Sequence, residues 1–170
     1  VYLHMTEGHG RNFLTGVATD SHRLSSSSVE ISNINDFTSF ILPRKAVFQL
    51  CSLLAETNTK LLMQSSENKV KFTLGNTKLV SKVIDGKFPD YKKVVPTNND
   101  KSLIVSSKDF INSIERVTSV SIDRKEGVKL AINKENVQLS VNSASSGEGN
   151  EIIKANFNSS SLTISFNSKY

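Results

Sequence analysis

The sequence holds one cysteine, Cys51, no tryptophan and only three prolines in 170 residues. A single thiol excludes an internal disulfide framework and a cysteine-built zinc site. The apolar helical context of Cys51 predicts a buried core residue, since free cysteine packs as a small hydrophobe. The lack of disulfides fits a cytoplasmic protein. No apolar run approaches the roughly 18 residues that a membrane-crossing helix needs, so no membrane partner is expected. No basic stretch leads into an apolar segment at the N-terminus, so no secretory signal is visible. The phosphate-loop pattern GxxxxGK[ST], a GxGxxG after a strand and HExxH are all missing, and no cofactor is expected. Charge of one sign prevails only slightly: 21 Lys and Arg against 16 Asp and Glu leave a formal net charge of +5. The excess is dispersed, with a local concentration between Lys78 and Lys101. It permits phosphate contact without requiring it.

What is present is a run of short strands interrupted twice by helices. Val1 to Met5 and Asn12 to Thr19 read as strands around a loop, Thr6 to Arg11. Leu24 to Ile31 follows as a strand, with Asn33, Asn35 and Asp36 as its loop. In Pro43 to Glu56 the residues Val47, Leu50, Cys51 and Leu54 recur at i, i+3, i+4 and i+7, which predicts an amphipathic helix widened by Phe48. Pro43 suits its first turn. Arg44 and Lys45 sit where the helix dipole disfavours cations, a hint that they serve something besides stability. Lys60 to Ser65, Lys69 to Leu74 and Thr77 to Ile84 then read as successive hairpin strands of an antiparallel sheet. Asp85 to Lys101 is irregular and reads as an interdomain linker.

The pattern then restarts. Leu103 to Val105 is a short strand, and Ser106 or Ser107 is a good helix cap. Phe110, Ile111, Ile114, Val117 and Val120 place a second amphipathic helix over Lys108 to Ser121. Gly127 to Asn133, Glu135 to Asn142, Glu151 to Phe157 and Ser161 to Phe166 are strand-like, and Ser143 to Asn150 reads as an exposed loop. Phe40–Leu54 and Leu103–Val117 both read strand, cap, helix, then hairpins. The repeat is architectural and predicts two similar α+β units. The sequence opens on Val1 inside a strand-like stretch and stops at Tyr170 without a cap, which reads as a piece of a longer protein.

Two stretches concentrate the binding chemistry. Val17 to Leu24, VATDSHRL, is a polar knot between strands, where Asp and Ser favour a tight connection. Ser81 to Pro96, SKVIDGKFPDYKKVVP, combines aromatics, prolines and charge. Its Phe88 and Tyr91 suit either a linker pinned to the domain surface or one wall of a peptide groove. Asp20, Ser21 and His22 are too close in sequence for a nucleophile–base–orienter triad. Asp20 and His22 on an extended segment, joined by His4 and His9, give the alternative of a small metal-dependent hydrolase. An exposed aromatic stacking row and a recognition helix are both missing, so sequence-specific nucleic-acid reading ranks last.

VATDSHRL, FILPRKAV and SKVIDGKFPDYKKVVP resemble, in order and spacing, the bacterial sliding clamps, the beta subunits of DNA polymerase III. The resemblance spans nearly the whole chain. It implies the DNA clamp fold, with helices on one face of curved antiparallel sheets. Residues 1–95 would be the late part of the clamp's middle domain and residues 96–170 the early part of its third domain. It implies a processivity factor, a homodimeric ring around duplex DNA held without sequence preference. Such a clamp is a non-catalytic subunit of the polymerase holoenzyme, grouped with nucleotidyltransferases only through that assembly. Replicative polymerase, clamp loader, other polymerases and repair proteins would dock short peptide motifs in a cleft.

By motif match, Thr19, Ser21, His22, Arg23 and Leu24 form one wall of that cleft. Pro89 and Val94 form another, with Lys93 beside them. Ser21 stands where the family usually has glycine, and a positive φ there would strain serine. The cleft's remaining wall belongs to a C-terminal segment this sequence does not include. The DNA-facing residues would be Arg44, Lys45, Gln49 and Ser52 on the first helix and Lys108, Asn112 and Arg116 on the second. Ser119 and Val120 would meet a partner subunit. No metal and no catalytic residue is implied.

Overall fold

The computed structural model describes residues 1–32, 37–121 and 127–170; the loop expected at Asn33, Asn35 and Asp36 lies outside the described residues. The chain divides into two compact units, Val1–Tyr91 and Lys92–Tyr170. No helix among the described residues is long and apolar enough to cross a membrane.

In the first unit, β1 (Tyr2–Gly8), β2 (Arg11–Thr19), β3 (Leu24–Glu30) and β4 (Phe40–Ile41) form one sheet in the order β3-β2-β1-β4. Helix α1 (Arg44–Ala55) follows, then the three-stranded sheet β5 (Leu61–Ser65), β6 (Lys69–Leu74) and β7 (Thr77–Lys82). The loop expected over Thr6 to Arg11 is much shorter. Gly8 pairs with Arg11, and the two residues between them, His9 and Gly10, have φ of 52° and 72°. Two successive positive φ values make a type I′ turn, whose twist matches that of the strands it joins. Chain reversal therefore needs two residues and frees Thr6 to Gly8 for pairing.

Val70 and Phe72 of β6 are buried with Phe40 and Leu42, and Ala46, Val47 and Leu50 of α1 pack onto them. Cys51, expected in this core, is exposed. Each helical residue turns about 100° from the last. The packed stripe runs through Ala46, Val47 and Leu50, with Leu53 half-buried beyond it, which leaves Cys51 and Phe48 outside. Helix α1 buries no residue fully, has Pro43 at its cap without a side-chain hydrogen bond, and carries Arg44 and Lys45 in a first turn that lacks any acid.

The second unit repeats the plan. β8 (Leu103–Val105) leads to α2 (Ser107–Thr118), then to β9 (Gly127–Ile132), β10 (Asn136–Ser143), β11 (Gly147–Phe157) and β12 (Leu162–Asn167), in the sheet order β12-β9-β10-β11-β8. In both units the third strand after the helix leads back to the strand before it. β11 pairs with β8, and Ile84, just past β7, bridges Ile41 of β4. Alternate residues Val128, Leu130, Ile132, Val137, Leu139 and Val141 fill the second core beneath Val117 of α2. Here capping is regular: the Ser106 hydroxyl accepts the Asp109 N–H at 3.4 Å, Asp109 lies in the first turn and Arg116 in the last.

The loop expected over Ser143 to Asn150 is also mostly strand, because β11 begins at Gly147 and pairs with Ser143. Gly149 sits where the α2 backbone crosses the sheet. A Cβ on it would lie 2.6 Å from the Val117 carbonyl oxygen and 3.1 Å from Val117 Cα. Neither backbone atom can yield without moving the helix. Gly149→Ala is therefore expected to destabilise the chain by about 1–3 kcal/mol, the usual cost of overpacking. Urea denaturation of the two proteins measures it, and equal midpoints would contradict this packing.

Candidate functional site

The knot after β2 is a turn held by its own side chains. Asp20 Oδ1 accepts the N–H of His22 at 3.1 Å and of Arg23 at 3.0 Å, while Asp20 Oδ2 accepts Arg23 Nε–H at 3.1 Å. Thr19 Oγ1 donates to the Arg23 carbonyl at 2.8 Å and accepts the Ser21 N–H at 3.2 Å. These contacts hold the Asp20 carboxyl below its ordinary range, first through the Arg23 and His22 backbone N–H groups and then through the Arg23 guanidinium. The turn places Ser21 at φ 72°. That is the left-handed region, which costs about 1–2 kcal/mol for a residue with a Cβ. The side chains of Thr19, Ser21, His22 and Arg23 are exposed and Leu24 is half-buried.

The second stretch is anchored on the same sheet. Tyr2 and His4, alternate residues of β1, point to one face. Tyr2 stacks on His4 and on Phe88, with ring centroids 4.8 Å apart in each pair. His4 Nδ1 lies 3.0 Å from the Met5 carbonyl and Nε2 lies 3.0 Å from the Tyr91 hydroxyl. A carbonyl only accepts, so Nδ1 carries the proton and the Tyr91 hydroxyl donates to Nε2. Burial pushes the Tyr91 phenol above its ordinary range, and the nearby Tyr2 and Asp90 add to the shift. Pro89 lies between the two anchored rings of Phe88 and Tyr91, and its carbonyl accepts the Tyr91 N–H at 2.8 Å.

Strand register brings these two stretches to a common surface. Tyr2 pairs with Val17, His4 with Thr15, and Thr19 with Leu24. Directly paired residues share a face and residues two apart share a face. Tyr2, His4, Val17, Thr19 and Leu24 therefore lie on one side of the sheet, the side on which the Phe88 and Tyr91 rings pack. Lys93 closes the 3₁₀ turn Tyr91–Lys93, and Val94 follows with 71% of its surface exposed.

The other expected residues divide. Arg44, Lys45, Gln49 and Ser52 lie on the exposed side of α1, and the Arg44 guanidinium sits 5.3 Å from the Phe48 ring centre. On α2, Lys108 is exposed and Asn112 half-buried. Arg116 is committed elsewhere. Its guanidinium donates to both carboxylate oxygens of Glu151 on β11 and to the Ser113 hydroxyl. The pair lowers the Glu151 pKa, chiefly through that hydrogen bonding. Ser119 caps α2 and donates its hydroxyl to the Arg116 carbonyl at 2.7 Å, while Val120 packs partly against its own unit's core.

The hydrolase alternative loses its ligands. Asp20 and His22 sit in a closed turn in place of the expected extended segment, and the Asp20 oxygens are taken by that turn. Both His4 nitrogens are engaged, and no group of three metal-binding side chains occurs among the described residues.

Comparison with known proteins meets this geometry directly. Residues 2–90 match the model of the DNA polymerase III beta subunit, central domain, and residues 92–170 that of its C-terminal domain. The chain belongs to the DNA polymerase III beta subunit family. Beta sliding clamps of Caulobacter vibrioides and Escherichia coli K12 are each 32% identical to it, over 100% and 99% of the chain and 46% and 45% of their own lengths. The chain thus spans about half the length of the curated relatives it matches. Among solved structures, a sliding clamp from Bartonella birtlesii aligns with a TM-score of 0.91 at 38% identity, covering 99% of this chain and 49% of that one. The same organism's clamp bound to griselimycin aligns with a TM-score of 0.91 at 39% identity, covering 99% and 46%. The DNA clamp fold expected from the sequence is what this chain adopts. The grouping with nucleotidyltransferases finds no support, since the matches name a subunit and a clamp.

Sequence reading missed the joint role of Tyr2, His4 and Tyr91. The alternation of Tyr2 and His4 on one strand face was a usable signal, but their partners lie near residue 90 and no local pattern points there. For the turn, a depressed Asp20 pKa means that its bonds strengthen the fold above the unfolded value of about 3.9 and are lost as pH falls through the lower folded value. An NMR titration should show the His22 and Arg23 amide shifts moving with a midpoint below about 3.9. Asp20→Asn should abolish that titration, and a midpoint at the ordinary value would contradict the turn.

Proposed function

We propose that this chain is part of a sliding clamp that encircles duplex DNA and holds replication proteins to it. The observation that carries this reading is the shared sheet face bearing Thr19, Leu24 and the Phe88–Tyr91 segment, in a chain that belongs to the beta subunit family. Thr19, Ser21, His22, Arg23, Leu24 and Pro89 then line a peptide-docking surface; Lys93 and Val94, which follow this segment in the chain, are kept as candidate peptide contacts on the family resemblance alone. A half-buried leucine and an exposed proline offer apolar contact, and the exposed polar turn fixes the orientation of a bound peptide. The partners are the replicative polymerase, the clamp loader and other polymerases or repair proteins, each through a short apolar motif. The clamp itself makes and breaks no bond.

For DNA, the proposed contacts are Arg44, Lys45, Gln49 and Ser52 on α1 and Lys108 and Asn112 on α2. Supporting the first set is the unfavourable placement of two cations in an acid-free first turn, a local cost of about 0.3–1 kcal/mol each. Arg116 is left out because Glu151 and Ser113 hold it. Contacts of this kind neutralise phosphates without reading bases, so binding is weak, salt-dependent and indifferent to sequence. Ser119 and Val120 are proposed to meet a second subunit in the ring.

Two measurements test the reading. Leu24→Asp places a charge on an apolar wall and is expected to abolish binding of a labelled clamp-binding peptide in fluorescence anisotropy. Unchanged affinity would overturn the docking assignment. Lys45→Glu is expected to raise thermal stability while weakening duplex DNA binding and lowering its salt dependence by about one ion. Equal DNA affinity in the two proteins would remove α1 from the DNA-facing set.

A further inference from the structure

We propose that His4 and Tyr91 form a clasp that positions the Pro89 wall of the docking surface, so that one half-buried tyrosine hydroxyl sets how well that surface is preorganised for peptide. The inference rests on the docking role given above to Pro89 and deepens it. Four rings close a circuit. His4 stacks on Tyr2 and Tyr2 on Phe88, with interplanar angles of 16° and 10°. Phe88 meets the edge of Tyr91 at 6.5 Å and 70°, and Tyr91 returns to His4 through the 3.0 Å hydrogen bond. The His4 and Tyr91 rings also pack at 5.6 Å and 59°, so all four pairs are ring against ring. Ring contacts tolerate sliding, whereas the hydrogen bond between these two side chains is directional and sets where the Tyr91 hydroxyl stands along β1.

His4 is suited to that part. It lies on an interior strand, with β2 on one side, and is 9% exposed. In the neutral ring the Met5 carbonyl holds the Nδ1–H, which fixes the tautomer and leaves Nε2 to accept from the Tyr91 hydroxyl 3.0 Å away. Pro89 and Asp90 are the only residues between the two clasped rings. The proline ring fixes its own φ, and its carbonyl is engaged by the Tyr91 N–H. The segment therefore has few ways to move while Tyr91 is held and many once it is released. His4 pairs with Thr15 on β2, and Thr19 and Leu24 share its face, so the same bond registers Pro89 against the other side of the docking surface.

Tyr91→Phe and His4→Phe each keep a ring in place and remove one end of the hydrogen bond. In either variant the amides of Asp90 and Tyr91 are expected to exchange with solvent faster, with little change in melting temperature. Clamp-binding peptide should dissociate faster, for an affinity loss of about three- to tenfold, the worth of one hydrogen bond. The double variant should lose no more peptide affinity than His4→Phe alone, because that substitution already removes the bond to Tyr91, besides the Nδ1–H bond to the Met5 carbonyl. Exchange unchanged in Tyr91→Phe overturns the clasp whatever the peptide does. Faster exchange with unchanged peptide affinity overturns the positioning role. A parent chain that binds no peptide while the variants exchange faster overturns the docking reading, and the positioning role with it, but leaves the anchoring of the segment standing.

Discussion

The register of β1 against β2 and of β2 against β3 is the constraint on which the site depends. Side chains alternate across a strand, so a slip of one residue would send every one of them to the opposite face. With Tyr2 opposite Val17 and Thr19 opposite Leu24, the aromatic anchor and the polar turn emerge on one surface. The register is pinned at both ends. At one, positive φ values at His9 and Gly10 form the two-residue turn that pairs Gly8 with Arg11. At the other, Asp20 gathers the His22 and Arg23 amides, so the chain returns into β3 at a fixed residue. A hydroxyl ladder from Thr6 through Thr15 to Ser28, at 2.7 and 2.8 Å, ties the three strands together at mid-length.

The two helices show how one plan serves different ends. Helix α2 is capped by Ser106, carries Asp109 and Arg116 at the ends the dipole favours, and buries Ser113, Val117 and Thr118. Its approach to the sheet is close enough to require Gly149. Helix α1 has neither a side-chain cap nor favourable charges, and its packed stripe is narrower. Its apolar side packs Val47 and Leu50 on the Val70 and Phe72 core, which leaves Arg44 and Lys45 of its first turn exposed. The same contrast applies to arginine. Arg116 and Arg44 look alike in sequence, yet one is locked to a carboxylate across the sheet while the other lies over its own helix's Phe48.

Much of this was legible because it is local. Periodicity placed both helices within a few residues of their ends, and short polar turns marked the β5–β6–β7 hairpins. The strand–cap–helix–hairpin repeat, together with VATDSHRL and SKVIDGKFPDYKKVVP, pointed to the clamp family that the comparisons identify. Even the left-handed φ of 72° at Ser21 was foreseeable from a serine standing where the resemblance implied glycine. Where the reading failed, something non-local had decided. Cys51 carries the right residue type and spacing for burial, but the core of Phe40, Leu42, Val70 and Phe72 packs on Ala46, Val47 and Leu50 instead, a choice of face that no helical pattern encodes. Gly147 to Asn150 looks like a loop by composition, yet it is strand because β10 supplies partners and α2 needs a residue without a Cβ.

The sequence by itself determined the elements, their order, the polar turn at Thr19 to Leu24 and the family. Those follow from backbone preferences and side-chain spacing, which act over a few residues. Tertiary structure decided which of those side chains act together. Tyr2, His4 and Tyr91 become one device only when antiparallel pairing and the return of the chain after β7 bring them within hydrogen-bond reach. Arg116 becomes structural only when β11 presents Glu151. A hydrogen bond needs its partners within about 3 Å at a set angle, and residues far apart in sequence meet that condition only once the sheet has fixed where each strand lies.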